Sequence, residues 1–217
     1  MPNKIVDKHT RIILDRYSGD QSFGVPSVDE DILMNTYLGK VLDFSELEGR
    51  TLLEIGAGCS QYAPLFLKSG LKKYIANDLI EDRLVMSRTS DERHDEILGD
   101  FLDISLNENV DFIFASLTMM FVVPKFNEFI DKIDGFLEAG GVFISFDPNY
   151  LCPLSIYRRF SDTKNNPSRL FNPFNYSNLF KEKGYVLEQL IPFSGPYPKL
   201  GNSWLTGTSF CMRVRKL

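Results

Sequence analysis

The residues best placed to do chemistry are three acids that each lie at or near the end of a short apolar run. Glu54 comes next to last in Leu52-Leu53-Glu54-Ile55, Asp78 follows Lys73-Tyr74-Ile75-Ala76-Asn77, and Asp100 follows Ile97-Leu98-Gly99. Glu54 leads directly into Gly56-Ala57-Gly58, where the two glycines let the backbone turn sharply and approach a ligand that any side chain would exclude. Asp78 comes twenty residues after Gly58, the separation at which βα folds place a carboxylate that accepts hydrogen bonds from both hydroxyls of a ribose. The pattern is one of holding a polar ligand by backbone and carboxylate acceptors. Elsewhere Asp147-Pro148-Asn149-Tyr150 offers an acid beside a rigid turn, and Arg158-Arg159 offers a local concentration of positive charge, with Lys164 and Arg169 nearby.

Positioning these groups requires alternating strands and helices. The run 52–55 reads as a buried strand. The helix Gln61 to Ser69 should follow it, capped by Ser60, with Pro64 in its first turn where a missing N–H costs little. Lys73 to Leu79 is a second strand, Ile97-Leu98 a third, and Val110 to Ala115 a fourth. Lys125 to Phe136 carries apolar residues at Phe126, Phe129, Ile130 and Ile133, a helical stripe continued by Leu137. Gly140-Gly141 opens a fifth strand, Val142 to Phe146, and Val186 to Ile191 with Ser209 to Val214 make a final pair. Strands alternating with helices imply a mostly parallel sheet covered on both faces, with the ligand at the carboxyl ends of the strands.

The glycine spacing separates two ligand classes. A dinucleotide fingerprint asks for G-x-G-x-x-G, and Gln61 stands at its last place. Read as E-x-G-x-G, the segment resembles motif I of the class I S-adenosylmethionine-dependent methyltransferases, of the small-molecule type 11/12 kind. The later acids follow in the family's order, over about residues 50 to 147. That resemblance implies a single α/β domain, a Rossmann-like three-layer sandwich whose seven-stranded, mostly parallel sheet ends in an antiparallel hairpin. It implies S-adenosyl-L-methionine as cofactor and S-adenosyl-L-homocysteine as product. Glu54 and Gly56, with Ala57 and Gly58, would lie under the methionine part, Asp78 would take the ribose, and Asp100 would meet the exocyclic amine. Leu79 and Phe101 would flank the adenine, and Ser116 and Leu117 would lie beside the sulfonium.

Within one domain over 1–217, the expected parts are an N-terminal helical and flap segment (1–49), a cofactor-binding core (50–147), a substrate lid and helix (148–185) and a C-terminal hairpin (186–217). The acceptor is expected under residues Asp147 to Asn175, with Tyr157 and Arg158 binding it and Asp147 and Tyr150 as catalytic candidates. Metal-dependent phenol methyltransferases carry an acid at the end of strand four, where this chain has Ala115-Ser116, so no metal is expected. Amino-methylating enzymes carry D/N-P-P-Y/F after strand four. Asp147-Pro148-Asn149-Tyr150 follows strand five and lacks the second proline, so it reads as a Pro-fixed turn.

Charge and cysteines bound the partners. With 24 Lys and Arg against 29 Asp and Glu, the net charge of −5 argues against an extended nucleic-acid interface, which needs a basic face. Cysteines 59, 152 and 211 are odd in number and form no C-x-x-C pair, which suits a reducing, cytoplasmic setting. His9 and His94 read as surface residues. The N-terminus lacks a signal-peptide core, and the longest apolar stretch, Phe112 to Val123, is too short to span a bilayer, so no membrane association is expected. The expected function is methyl transfer to an oxygen or nitrogen of a small molecule by in-line displacement, mainly through proximity and orientation. Its rivals are a methyltransferase-like module that binds without turnover and, less favoured, an NAD-dependent oxidoreductase.

Overall fold

The computed structural model describes residues 8–17, 38–87, 90–122, 125–161, 171–193 and 203–217. Seven strands form one sheet: β1 (Thr51–Ile55), β2 (Lys73–Asp78), β3 (His94–Leu98), β4 (Val110–Ser116), β5 (Leu137–Pro148), β6 (Val186–Phe193) and β7 (Ser209–Arg215). Their order is β3-β2-β1-β4-β5-β7-β6, parallel except for β7, which runs antiparallel between β5 and β6. The helices are α1 (Lys8–Tyr17), α2 (Ala63–Lys68), α3 (Glu81–Ser87), α4 (Phe126–Phe136), α5 (Pro153–Ser161) and α6 (Pro173–Glu182), with short helical turns between them.

Both faces of the sheet are buried, which is why β1 and β4 read as nearly unbroken apolar runs rather than alternating ones. Successive side chains of a strand point to opposite faces. Leu52, Phe112 and Phe114 therefore join one core with Tyr62 and Phe66 of the α2 side, while Leu53 and Ile113 join another with Phe129, Ile133, Tyr176 and Phe180 of α4 and α6. The chain reverses its direction of travel across the sheet at β1, which has β2 on one side and β4 on the other. At such a switch point the connections leave on opposite faces and a cleft opens at the strand tips.

Several boundaries differ from those expected. α2 begins at Ala63 rather than Gln61, and Ser60 does not cap it: Ser60 sits at φ 48° with its buried hydroxyl unpartnered, and Tyr62 occupies the cap position. Pro64 does lie in the first turn. β5 begins at Leu137 and includes Gly140 and Gly141, because a register shift between Val110 and Phe112 lets β4 pair on through it. The stretch Asp147 to Asn175 is not a plain connection: it contains the end of β5, the helix α5 and the start of α6. Of the expected N-terminal helical and flap segment, residues 1–7 and 18–37 lie outside the described residues, as do Lys164 and Arg169.

Candidate cofactor and active site

The β1 turn is built by close approach. Gly56 adopts φ 65°, and a Cβ there would come within 2.2 Å of the Thr118 hydroxyl on the turn after β4, so only glycine fits between the two strand ends. The turn is then stitched to β2. Ala57 N–H donates to the Asn77 carbonyl at 2.9 Å, and Gly58 N–H donates to Asp78 Oδ2 at 2.8 Å. Asp78 Oδ1 accepts from Ile80 N–H at 2.8 Å. Burial raises the Asp78 pKa above its usual value, and these backbone donors and the nearby Arg83 charge oppose that rise. The carboxylate is thus fixed at both oxygens by backbone, and each oxygen keeps capacity for another donor.

Asp100 lies two residues past the end of β3, the strand beside β2. Its Oδ1 accepts from Leu102 N–H at 3.0 Å and its Oδ2 from the Thr10 hydroxyl at 3.3 Å. Buried Asn77 holds this turn against β2, its amide donating to the carbonyls of Ile97 (2.9 Å) and Gly99 (3.0 Å). Phe101 is buried with its ring 4.4 Å from that of Phe129.

Glu54 is almost fully buried, and the Tyr74 hydroxyl donates to its Oε2 at 2.5 Å. Burial pushes its carboxyl up to about 8, against the opposing effect of that hydrogen bond. At the end of β4 the Ser116 and Tyr62 hydroxyls are 3.1 Å apart, and the Thr118 hydroxyl donates to the Ser116 carbonyl. Leu117 takes φ 55°, unusual for a residue with a side chain. Its N–H reaches the Phe146 carbonyl of β5 at 2.7 Å, and its side chain is left about half exposed.

These pieces enclose one cavity of about 450 Å³. The structure brings to its wall all of Glu54, Gly56, Ala57, Gly58, Asp78, Leu79, Asp100, Phe101, Ser116 and Leu117. Several lining residues were not anticipated from sequence: Thr10 and Ile13 of α1, Tyr62, Asn77, and the turn around Met120 and Phe121. Spacing from the glycine turn could have found Asn77, the neighbour of Asp78. Nothing local could have found Thr10, ninety residues from its partner.

Asp147, Tyr150 and Tyr157, three of the residues expected to serve the acceptor, lie elsewhere. Asp147 does not line the cavity: it is fully buried on β5, and neither carboxyl oxygen has a hydrogen-bond partner. Burial pushes it up to about 7. Ser145 and the Met120 N–H lean toward it and lower it somewhat, without completing a hydrogen bond. Tyr150 and Tyr157 are 50% and 70% exposed, and neither lines the cavity. Arg158 lies on α5 with its side chain outside the described residues. The turn after Asp147 is held by Asn149, whose amide donates to the carbonyls of Trp204 and Gly207 at 2.8 Å each. Among the described residues no three His, Cys, Asp or Glu side chains gather as a metal site, and no helix is long and apolar enough to cross a membrane.

Comparison with known proteins adds similar proteins to this geometry. Residues 53–145 match a family model described as a methyltransferase domain. Among solved structures, a magnesium protoporphyrin IX methyltransferase from Synechocystis PCC 6803 with bound S-adenosylhomocysteine superposes with a TM-score of 0.71 at 9% identity, over 96% of this chain and 100% of that one. An S-adenosylmethionine-dependent methyltransferase from Mesorhizobium loti gives 0.69 at 16% identity, over 82% and 95%. A methyltransferase from Haloferax volcanii, solved with an activator protein, gives 0.62 at 16%, over 77% and 82%. At these identities the likeness is one of fold. No curated protein sequence matches the chain.

Proposed function

We propose that this chain, a class I S-adenosylmethionine-dependent methyltransferase, carries the methyl group to an oxygen or nitrogen of a small molecule. The observation that supports the reading best is the cavity whose wall gathers the glycine turn and the carboxylates Glu54, Asp78 and Asp100. These residues fit the cofactor chemically. Gly56 and Gly58 present backbone where side chains would intrude, Asp78 offers acceptors for ribose hydroxyls, and Asp100 offers acceptors for the exocyclic amine. Leu79 and Phe101 supply apolar flanks, and Glu54, in the floor, faces the methionine part. When bound, S-adenosylmethionine supplies an electrophilic methyl group on a sulfonium.

The acceptor would enter where the wall continues past Ser116 and Leu117 to Tyr62, Met120 and Phe121. That surface is largely apolar, so water is excluded and reactants are aligned, which is most of what an in-line displacement asks of a protein. As placed, Asp147 touches nothing in the cavity and takes no proton there directly; Tyr150, Tyr157 and Arg158 are proposed only as an outer rim. The chain's net charge of −5 supports a small acceptor rather than DNA or RNA, and its unpaired cysteines support a cytoplasmic setting.

Calorimetric titration with S-adenosylmethionine, S-adenosylhomocysteine and NAD should show binding of the first two only. Transfer of labelled methyl should then be found to small hydroxyl or amine compounds, undiminished by EDTA. Robust labelling of tRNA or DNA at physiological salt would overturn the small-molecule assignment.

A further inference from the structure

One wall of the cavity comes from outside the matched residues. Thr10 and Ile13, one turn apart on α1, both line it, and Thr10 is buried while Arg11 beside it is exposed. The Thr10 hydroxyl donates to Asp100 Oδ2 across 90 residues of sequence.

Asp78 ends β2 and Asp100 lies two residues past the neighbouring β3, yet they are held differently. Asp78 receives a backbone N–H at each oxygen, from Gly58 and Ile80, and needs nothing from α1. Asp100 receives a backbone N–H at Oδ1 only, from Leu102, and follows β3, the outermost strand. At Oδ2 the donor is Thr10. With a single donor the carboxylate plane can rotate about the Cβ bond; with donors at both oxygens it is pinned. An ionised carboxylate has about four acceptor sites, so both oxygens retain capacity after these two bonds are made.

We infer that Thr10 is a positioning residue for the cofactor: it orients Asp100 so that its remaining acceptor sites face the exocyclic amine of the adenine, and α1 is thereby part of the cofactor site. This rests on the reading of Asp100 as the adenine acceptor. It follows that docking of α1 and binding of the cofactor are coupled. The coupling is reciprocal, because whatever α1 adds to cofactor affinity the cofactor returns to the docking of α1. The N-terminal helix is then a reporter of adenosyl occupancy as well as a wall.

The test uses the full chain with S-adenosylhomocysteine as probe, in the native protein and in Thr10→Val, Thr10→Ser and Asp100→Ala. Valine keeps the branched shape of threonine and removes the donor. Its loss of one hydrogen bond to a charged group should weaken binding by about tenfold, and serine should restore affinity to within about twofold. The native preference for S-adenosylhomocysteine over S-inosylhomocysteine should shrink in Thr10→Val, whereas a change of cavity shape alone would weaken both ligands equally. Hydrogen exchange at residues 8–17 should slow on adding ligand to the native and serine proteins and not to the valine variant. If Thr10→Val binds as the native protein does while Asp100→Ala loses affinity, the role assigned to Thr10 is wrong and the adenine site stands. If Asp100→Ala also binds normally, the adenine assignment fails and this inference with it.

Discussion

The tips of β1, β2 and β3 and the tip of β5 carry the same kind of residue, an acid at or just past the end of an apolar strand, with opposite outcomes. At the first tips the acids open into a cavity; Asp78 and Asp100 have donors at both oxygens, and Glu54 is bonded to Tyr74. At the second, Asp147 is sealed beneath the Met119–Phe121 turn and β7, with neither oxygen bonded. An acid at a strand tip is therefore not by itself a site. What matters is whether the tip faces the cleft at the switch point or a covered flank, because only the first lets a ligand replace the water an acid loses on burial.

The sharpest way to break this comparison is at Gly56, where an added methyl group would meet Thr118 and the backbone is left-handed. Strain there is on the order of 1–3 kcal/mol. Gly56→Ala should therefore lower S-adenosylhomocysteine affinity on the order of tenfold to a hundredfold; calorimetry reads this directly. Next, Asp78→Ala should weaken binding by about tenfold or more, since a hydrogen bond to a charged group contributes about 1.5–3 kcal/mol. Asp147→Ala should leave affinity unchanged. Equal losses in the two would erase the distinction between the tips.

The third prediction concerns protons. Glu54 and Asp147 hold theirs in the fold up to about pH 8 and 7, against ordinary values of 4.5 and 3.8. Between those limits the folded chain binds more protons than the unfolded one, so stability falls as pH rises. Their contribution is full below about pH 4 and gone above about pH 8, with a slope of at most about 1.4 kcal/mol per pH unit for each group. Urea denaturation at pH 5 and pH 8 should show this loss, and Asp147→Asn and Glu54→Gln should each flatten it. Glu54 separates from Asp147 in one further respect. Only at Glu54 should binding of the cofactor, with its ammonium group, release a proton at pH 7, detectable as a buffer-dependent calorimetric heat. The smallest effect is expected at the rim, where Tyr150→Ala and Tyr157→Ala should leave cofactor affinity within about twofold, measured in the same titration.

Much of the cavity wall was legible. The run 52–60 announces strand and glycine turn through composition alone, and the acids at 78 and 100 stand at spacings set by one helix and one strand. Such local regularities survive folding because a buried parallel strand and a tight βα turn admit few residue types. The acceptor end was not legible in the same way. Asp147-Pro148-Asn149-Tyr150 looks like chemistry in one dimension, yet Asn149 spends its amide on the carbonyls of Trp204 and Gly207 and the tyrosines face solvent. Ser60 misleads for a related reason: a hydroxyl before a helix suggests a cap, but the turn forces it into a left-handed conformation instead.

By itself, then, the sequence determined the class of fold, the strand that carries the glycine turn and the acids that follow it, because these depend on periodicity and on residues a few positions apart. Only the tertiary structure decided that β7 inserts between β5 and β6, that Thr118 closes over Gly56, that Asp147 is walled off, and that Thr10 reaches Asp100. Each of these is a contact between segments distant in the chain, and its geometry is set by how the layers pack rather than by any local preference.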